Sequence, residues 1–234
     1  MNKRIENILF LDIETVPQYK CFDDVPQNIR ELWEKKMKLN LKPDEDAEQS
    51  YQRAGIWAEF GKIICISLGF IYKKNEKNIF RVKSFYGDDE NTLLIDFADS
   101  MKKFYEKHKK DIQLCAHNGK EFDFPYIARR MLINKIELPR ILDVGGKKPW
   151  EVPFLDTMEL WRFGDYKNYT SLNLMATIFD IPSPKDDIDG SMVADVYYNQ
   201  NDIERIARYC EKDTFTVASL YLRLKGIFIE MEVG

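Results

Sequence analysis

Ile8, Leu9, Phe10 and Leu11 stand in unbroken apolar succession, with no polar residue between them. A strand with one wet face alternates apolar and polar residues; a run that does not alternate is buried on both faces and needs cover on each side of its sheet. Lys62 to Tyr72, rich in isoleucine, and Ile112 to Ala116 read the same way, and Ile79 to Tyr86 alternates loosely. Before the last of these strands, Asn91 opens an amphipathic helix that carries Leu93, Leu94, Phe97, Met101, Phe104 and Tyr105 on one face. Three strands, a helix and a strand make a mixed α/β sheet flanked by helices.

Beyond Asn118 the pattern turns helical, over Pro125 to Asn134, Asp156 to Phe163, Ser171 to Phe179, Ser191 to Asn199, and Asp202 to about Lys225. Gln18 to Phe60 is polar, helical around Ile29 to Leu39 and broken at Pro43-Asp44-Glu45-Asp46, so it reads as an insertion between the first two strands. No repeat, linker or low-complexity tract divides residues 1–234, which predicts one domain with a helical insertion at 18–60. With 44% hydrophobic and 32% charged residues the chain can bury a core, which excludes a disordered class.

Lys3 and Arg4 precede an apolar stretch, but Asp12 interrupts it after a few residues, which argues against a secretory leader. Cys21, Cys65, Cys115 and Cys210 are scattered, the pattern of reduced thiols, and no apolar run reaches transmembrane length. The expectation is a cytoplasmic protein without membrane contact. A net charge of −4 means that any contact with a polyanion must be local. The candidates are Lys102, Lys103, Lys107, Lys109 and Lys110, then Arg129 and Arg130, then Lys147 and Lys148; a solvated helix face or loop is the alternative for each, and it explains the first group better, because its lysines surround an amphipathic helix.

Asp12 and Glu14 are two apart on a strand, so both point to one face at its C-terminal end, a favoured ligand position in α/β sheets. Asp123 follows a buried strand in His117-Asn118-Gly119-Lys120-Glu121-Phe122-Asp123 and precedes Pro125, a place that equally suits an acid in the first turn of a helix. Tyr209 and Asp213 are four apart on the last helix and share a face. Four carboxylates gathered in one place would resist ionisation unless cations sat among them, and hard oxygen donors select magnesium or manganese.

In this order D-I-E-T, N-G-K-E-F-D and Y-C-E-K-D resemble the three exonuclease motifs of the DEDD superfamily in its tyrosine-bearing branch, DEDDy. Similarity in Ser171 to Asp180 and in Pro184 to Val193 points to a stand-alone group of predicted 3′-to-5′ exonucleases related to the proofreading domain of family B DNA polymerases. The resemblance spans nearly the whole chain, except Gln18 to Phe60. It implies a ribonuclease H-like fold and hydrolysis of terminal phosphodiester bonds of single-stranded or frayed DNA by a two-metal-ion mechanism, releasing nucleoside monophosphates. Two divalent cations, Mg2+ or Mn2+, would be held by Asp12, Glu14, Asp123 and Asp213. Asp12 would bridge them, Glu14 and Asp213 would hold the ion serving the attacking water, and Asp123 would serve the second.

By the same resemblance, Tyr209 would orient that water or help to deprotonate it, and His117 would be structural. Thr15, Val16, Asn118, Phe122 and Lys185 would contact substrate, the lysine at a phosphate. Phe124, Tyr126 and Trp150 are candidate stacking platforms or core residues. The implied partners are single-stranded DNA or nucleic-acid 3′ ends, with any replication or repair partner unidentified. Two alternatives stay open: an exonuclease directed at RNA, and a nucleic-acid-binding or polymerase-accessory module without turnover.

Overall fold

A computed structural model describes residues 5–107, 112–165, 169–182 and 188–234. Among these residues six strands form one sheet: β1 (Ile8–Pro17), β2 (Gly61–Lys74), β3 (Lys77–Tyr86), β4 (Gln113–Ala116), β5 (Leu155–Asp156) and β6 (Met231–Val233). Their spatial order is β5-β4-β1-β2-β3-β6. β1 and β2 pair antiparallel, as do β2 and β3, whereas β4 runs parallel to β1, β5 to β4 and β6 to β3. β1 is therefore interior, and the unalternating apolar run has its reason.

Among the described residues, α-helices around the sheet are α1 (Gln27–Met37), α2 (Ala47–Ser50), α3 (Glu90–Lys107), α4 (Asp123–Ile133), α5 (Thr157–Arg162), α6 (Leu172–Ile178), α7 (Val193–Asp195) and α8 (Ile203–Leu224). Alternation along β1 divides the core. Leu9, Leu11 and Ile13 pack with Leu94 and Phe97 of α3 and Ile127 and Met131 of α4. Ile8 and Phe10 pack on the opposite face with Val217, Ala218 and Tyr221 of α8. Asp12 and Glu14 continue this second row, so the acids are directed toward α8. Among the described residues no helix is long and apolar enough to cross a membrane.

The insertion carries its own apolar cluster. Trp33 is fully buried, with the rings of Tyr51, Trp57 and Phe60 at 5.5, 5.3 and 5.1 Å. A 3-10 turn over Tyr51–Ile56 brings Gly55 against β1, where a Cβ would stand 3.0 Å from the Val16 carbonyl carbon. The Gly55 carbonyl accepts from Thr15 Oγ1 at 2.9 Å and from Tyr126 Oη at 2.7 Å. Arg130 of α4 completes the attachment: its Nε donates to Glu90 at 2.8 Å and its Nη1 to the Ala58 carbonyl at 2.8 Å. The segment thus braces the end of β1 that carries the acids.

The helical expectations hold with shifted ends. Ser191 to Asn199 is α7 followed by a π-type turn over Val196–Gln200, and helix α1 stops at Met37. The sequence expectations omit β5 and β6, which have two and three residues.

Candidate active site

Between Glu14 and Thr15 the pairing of β1 with β2 slips: Glu14 opposes Cys65, whereas Thr15 opposes Ile63, leaving Ile64 as the extra residue of a bulge. Bulges re-aim side chains at sheet ends. Here the slip falls immediately after the two acids, and the Thr15 hydroxyl turns to the Gly55 carbonyl. Val16 is fully buried, so its side chain is not at the surface.

The second motif leaves β4 through a turn in which Asn118 adopts φ 60°. Asp156, buried at the end of β5, accepts from the main-chain N–H of Asn118 and of Lys120, both at 3.0 Å, and also caps α5 through Met158 at 2.9 Å. One carboxylate thereby shapes the whole turn. Asp123 follows as the first residue of α4, almost wholly buried, and accepts from the N–H of Ile13, the residue between the two acids of β1. Phe122 is half-buried and packs, tilted by 50°, against the Tyr126 ring at 5.3 Å. Phe124 and Tyr126 are core residues, whereas Trp150 is exposed beside the Lys148 ammonium, 5.4 Å from its ring.

His117 is bonded on both ring nitrogens, Nε2 to the Thr170 carbonyl and Nδ1 to Thr157 Oγ1, each at 2.8 Å. A carbonyl only accepts, so Nε2 bears the proton and Nδ1 accepts from the threonine. Burial holds its pKa below the usual value and keeps the ring neutral. Both nitrogens are engaged in holding the wall of the site.

α8 begins at Asp202, whose carboxylate accepts from the Arg205 N–H at 3.0 Å, and it lies across β1, β2 and β3. One turn separates Tyr209 from Asp213, and the phenol is hydrogen-bonded to that carboxylate. Asp12, His117, Tyr169, Asp189, Tyr209 and Asp213 line a cleft of about 840 Å³.

Charge defines the site. Burial, then Glu14, Asp213 and Asp123, push the Asp12 carboxyl well above the usual carboxylate range. Glu14 is raised by burial, then by Asp213, Cys65 and Asp123. Asp123 is pushed up to about 7 by burial, with Asp156 adding to it, and main-chain N–H groups hold it partly back. Tyr209 is driven far above its ordinary value by burial and by Asp213, Glu14 and Asp12. Among the described residues no lysine or arginine forms an ion pair with Asp12, Glu14 or Asp123. Buried and half-buried carboxylates without counter-charge fit divalent cations, and an all-oxygen set fits a hard one.

Ligand atoms of Asp12, Glu14 and Cys210 lie within 4.8 Å of one another. The thiol does not belong to a hard-ion set: burial raises its pKa well above the ordinary value, so it keeps its proton, and it donates to Asp12. The sequence motifs assign no role to Cys210 or Asp156. Asp156 has a sequence signal, an acid just before a helical stretch; Cys210 has none beyond its place beside Tyr209.

Lys185 lies outside the described residues, as do Lys109 and Lys110. Arg130 does not serve nucleic acid as expected, because Glu90 and Ala58 consume its guanidinium in the interior. Lys147 and Lys148 are exposed.

Among curated proteins none matches. The structure resembles the family B DNA polymerase from the hyperthermophilic archaeon Pyrobaculum calidifontis with a TM-score of 0.55 at 15% identity, covering 93% of this chain and 24% of that one. The mixed sheet between helices is thus of the ribonuclease H-like kind, and the chain spans about a quarter of the polymerase it matches. The family profile described as predicted 3′-5′ exonuclease related to the exonuclease domain of PolB matches residues 56–232, which take in Asp123, Tyr209 and Asp213 and leave out β1. Over three quarters of its length, therefore, the chain belongs to that family of predicted exonucleases.

Proposed function

We propose that the chain is a divalent-cation-dependent 3′-to-5′ exonuclease of the tyrosine-bearing DEDD type, acting on single-stranded or frayed DNA. The observation that carries this reading is the convergence of Asp12, Glu14, Asp123 and Asp213, the first three without a cationic partner among the described residues. The likeness to a DNA polymerase supports DNA as the substrate class.

Asp12, Glu14, Asp123 and Asp213 would hold two cations, Mg2+ or Mn2+, and Asp12 is the acid on which the charges of the other three all act. When bound, such ions stabilise charge on the entering and leaving oxygens of an in-line displacement. The chain's own groups supply the rest. Tyr209 stays protonated at neutral pH, so it orients the attacking water by hydrogen bonding and takes no proton from it. Asp213 fixes the phenol, and the rigid strand beneath Asp12 and Glu14 keeps the acids aimed. His117, neutral and bonded at both nitrogens, holds the wall that carries Thr157 and Thr170.

The test uses a 5′-labelled DNA strand with either a free or a blocked 3′ end, in magnesium or manganese and in chelator. Stepwise shortening of the free-ended strand alone, and only with cation, is the expected result. Cleavage of both strands alike, or activity in Asp12→Ala equal to the parent's, refutes it.

A further inference from the structure

The sheet face under α8 is crossed by a polar seam. Asp12 on β1, Ser67 on β2 and Ser84 on β3 are register partners in a single row, and Ser67 is fully buried. Ser84 Oγ donates to Glu211 Oε1 at 2.7 Å. That uses the Ser84 proton, so its oxygen accepts from Ser67 Oγ at 2.8 Å. The Ser67 oxygen in turn faces the Cys65 thiol at 3.9 Å, and Cys65 packs against Cys210. Cys210 Sγ lies 3.4 Å from both the main-chain oxygen and Oδ2 of Asp12. The protons point outward from the two thiols and end on a carboxylate at either side, Glu211 and Asp12. Thr214 adds a contact to the Ser67 carbonyl at 3.5 Å.

Cys210, Glu211 and Thr214 all belong to α8, the helix that presents Tyr209 and Asp213. Apolar packing is non-directional and would tolerate a small roll or slide of this helix over the sheet; a row of paired donors and acceptors would not. Cys210 also occupies a lone pair of Asp12 Oδ2, which fixes the rotation of that carboxylate and leaves its remaining lone pairs for a cation. We propose that the seam, ending in Cys210, is the positioning device that sets Asp12 relative to Asp213 and Tyr209. The inference rests on the cation-site reading given above.

Manganese binding followed by the electron paramagnetic resonance of free Mn2+ tests it apart from turnover. Removing the partner of a metal ligand typically costs about 10- to 100-fold in affinity, and Cys210→Ala is expected to fall in that range. Cys210→Ser keeps a donor and is expected to recover most of the loss. In the oligonucleotide assay at saturating cation, Cys210→Ala should lower kcat and leave KM unchanged. Ser84→Ala, farther along the seam beyond Cys65 and Ser67, should weaken Mn2+ binding by a smaller factor, and it serves if Cys210→Ala does not fold. Parental Mn2+ affinity in a folded Cys210→Ala or in Ser84→Ala overturns the proposal. So does a Cys210→Ser variant no better than Cys210→Ala, because lost volume and not a lost donor would then be at issue. A parent protein that binds no Mn2+ overturns the cation-site reading and this inference together.

Discussion

Asp123→Asn isolates the electrostatic cost of the acid cluster. The carboxyl is almost wholly buried and its pKa stands at about 7 against 3.8 for an ordinary aspartate. Between these values the folded protein binds more protons than the unfolded chain, so cation-free stability falls as pH rises from about 4 to about 7. At 1.36 kcal/mol per unit, three units set a ceiling of about 4 kcal/mol at pH 8. Relief by water entry and by the neighbouring acids' own titration brings the expected gain to about 1–3 kcal/mol. Asparagine is isosteric, keeps an acceptor for the Ile13 N–H and carries no charge. In chelator it should therefore stabilise the protein at about pH 8 and leave it nearly unchanged at about pH 4. Saturating cation should reverse the order at pH 8: an ion at 100 times its Kd adds about 2.7 kcal/mol to the parent and much less to a variant short of one ligand. Urea unfolding at both pH values, in chelator and in magnesium, measures all four quantities. Equal destabilisation by Asp123→Asn at both pH values in chelator would refute the reasoning, since the acid would then act through packing or hydrogen bonding.

Tyr209→Phe should lower kcat by about 100-fold through misorientation of the attacking water. Because the phenol titrates far above neutrality, the alkaline limb of the pH–rate profile should stay in place, and its displacement would assign the proton transfer to Tyr209. His117 has a folded pKa depressed by burial, so the unfolded chain binds more protons below about pH 6.5 and stability declines as pH falls through that value. Measured at saturating cation, that decline should be shallower in His117→Gln than in the parent. Arg130→Met leaves Glu90 buried and unpaired and should cost about 3–5 kcal/mol by urea unfolding. A loss under about 1 kcal/mol would mean that the pair does not anchor the insertion.

The sequence was most legible where local pattern and burial agree. Ile8 to Leu11 announces an interior strand, and the two-residue period places Asp12 and Glu14 on one face; the structure adds that this is the face toward α8. The helix carrying Tyr209 and Asp213 is likewise plain from its apolar stripe. Strands of two and three residues, such as β5 and β6, are too short to show a period, and pairing with a longer neighbour alone stabilises them. The role of Asp156 depends on β5 lying beside β4, which brings its carboxylate to amides 38 and 36 residues away. Cross-strand register also hides the Ser67 and Ser84 row: each serine taken alone is an ordinary polar interruption of a strand. The insertion reads as polar and charged because its aromatic residues are spread over nearly thirty positions and meet only around Trp33.

The account turns on whether the acids hold cations. Anomalous scattering from a crystal soaked in manganese would locate them. The expected map has two peaks among Asp12, Glu14, Asp123 and Asp213, with Asp12 touching both and the Cys210 sulfur outside the coordination sphere of each. A saturated soak with no peak between Asp12 and Asp213, or with a single ion ligated by the Cys210 sulfur, would contradict it.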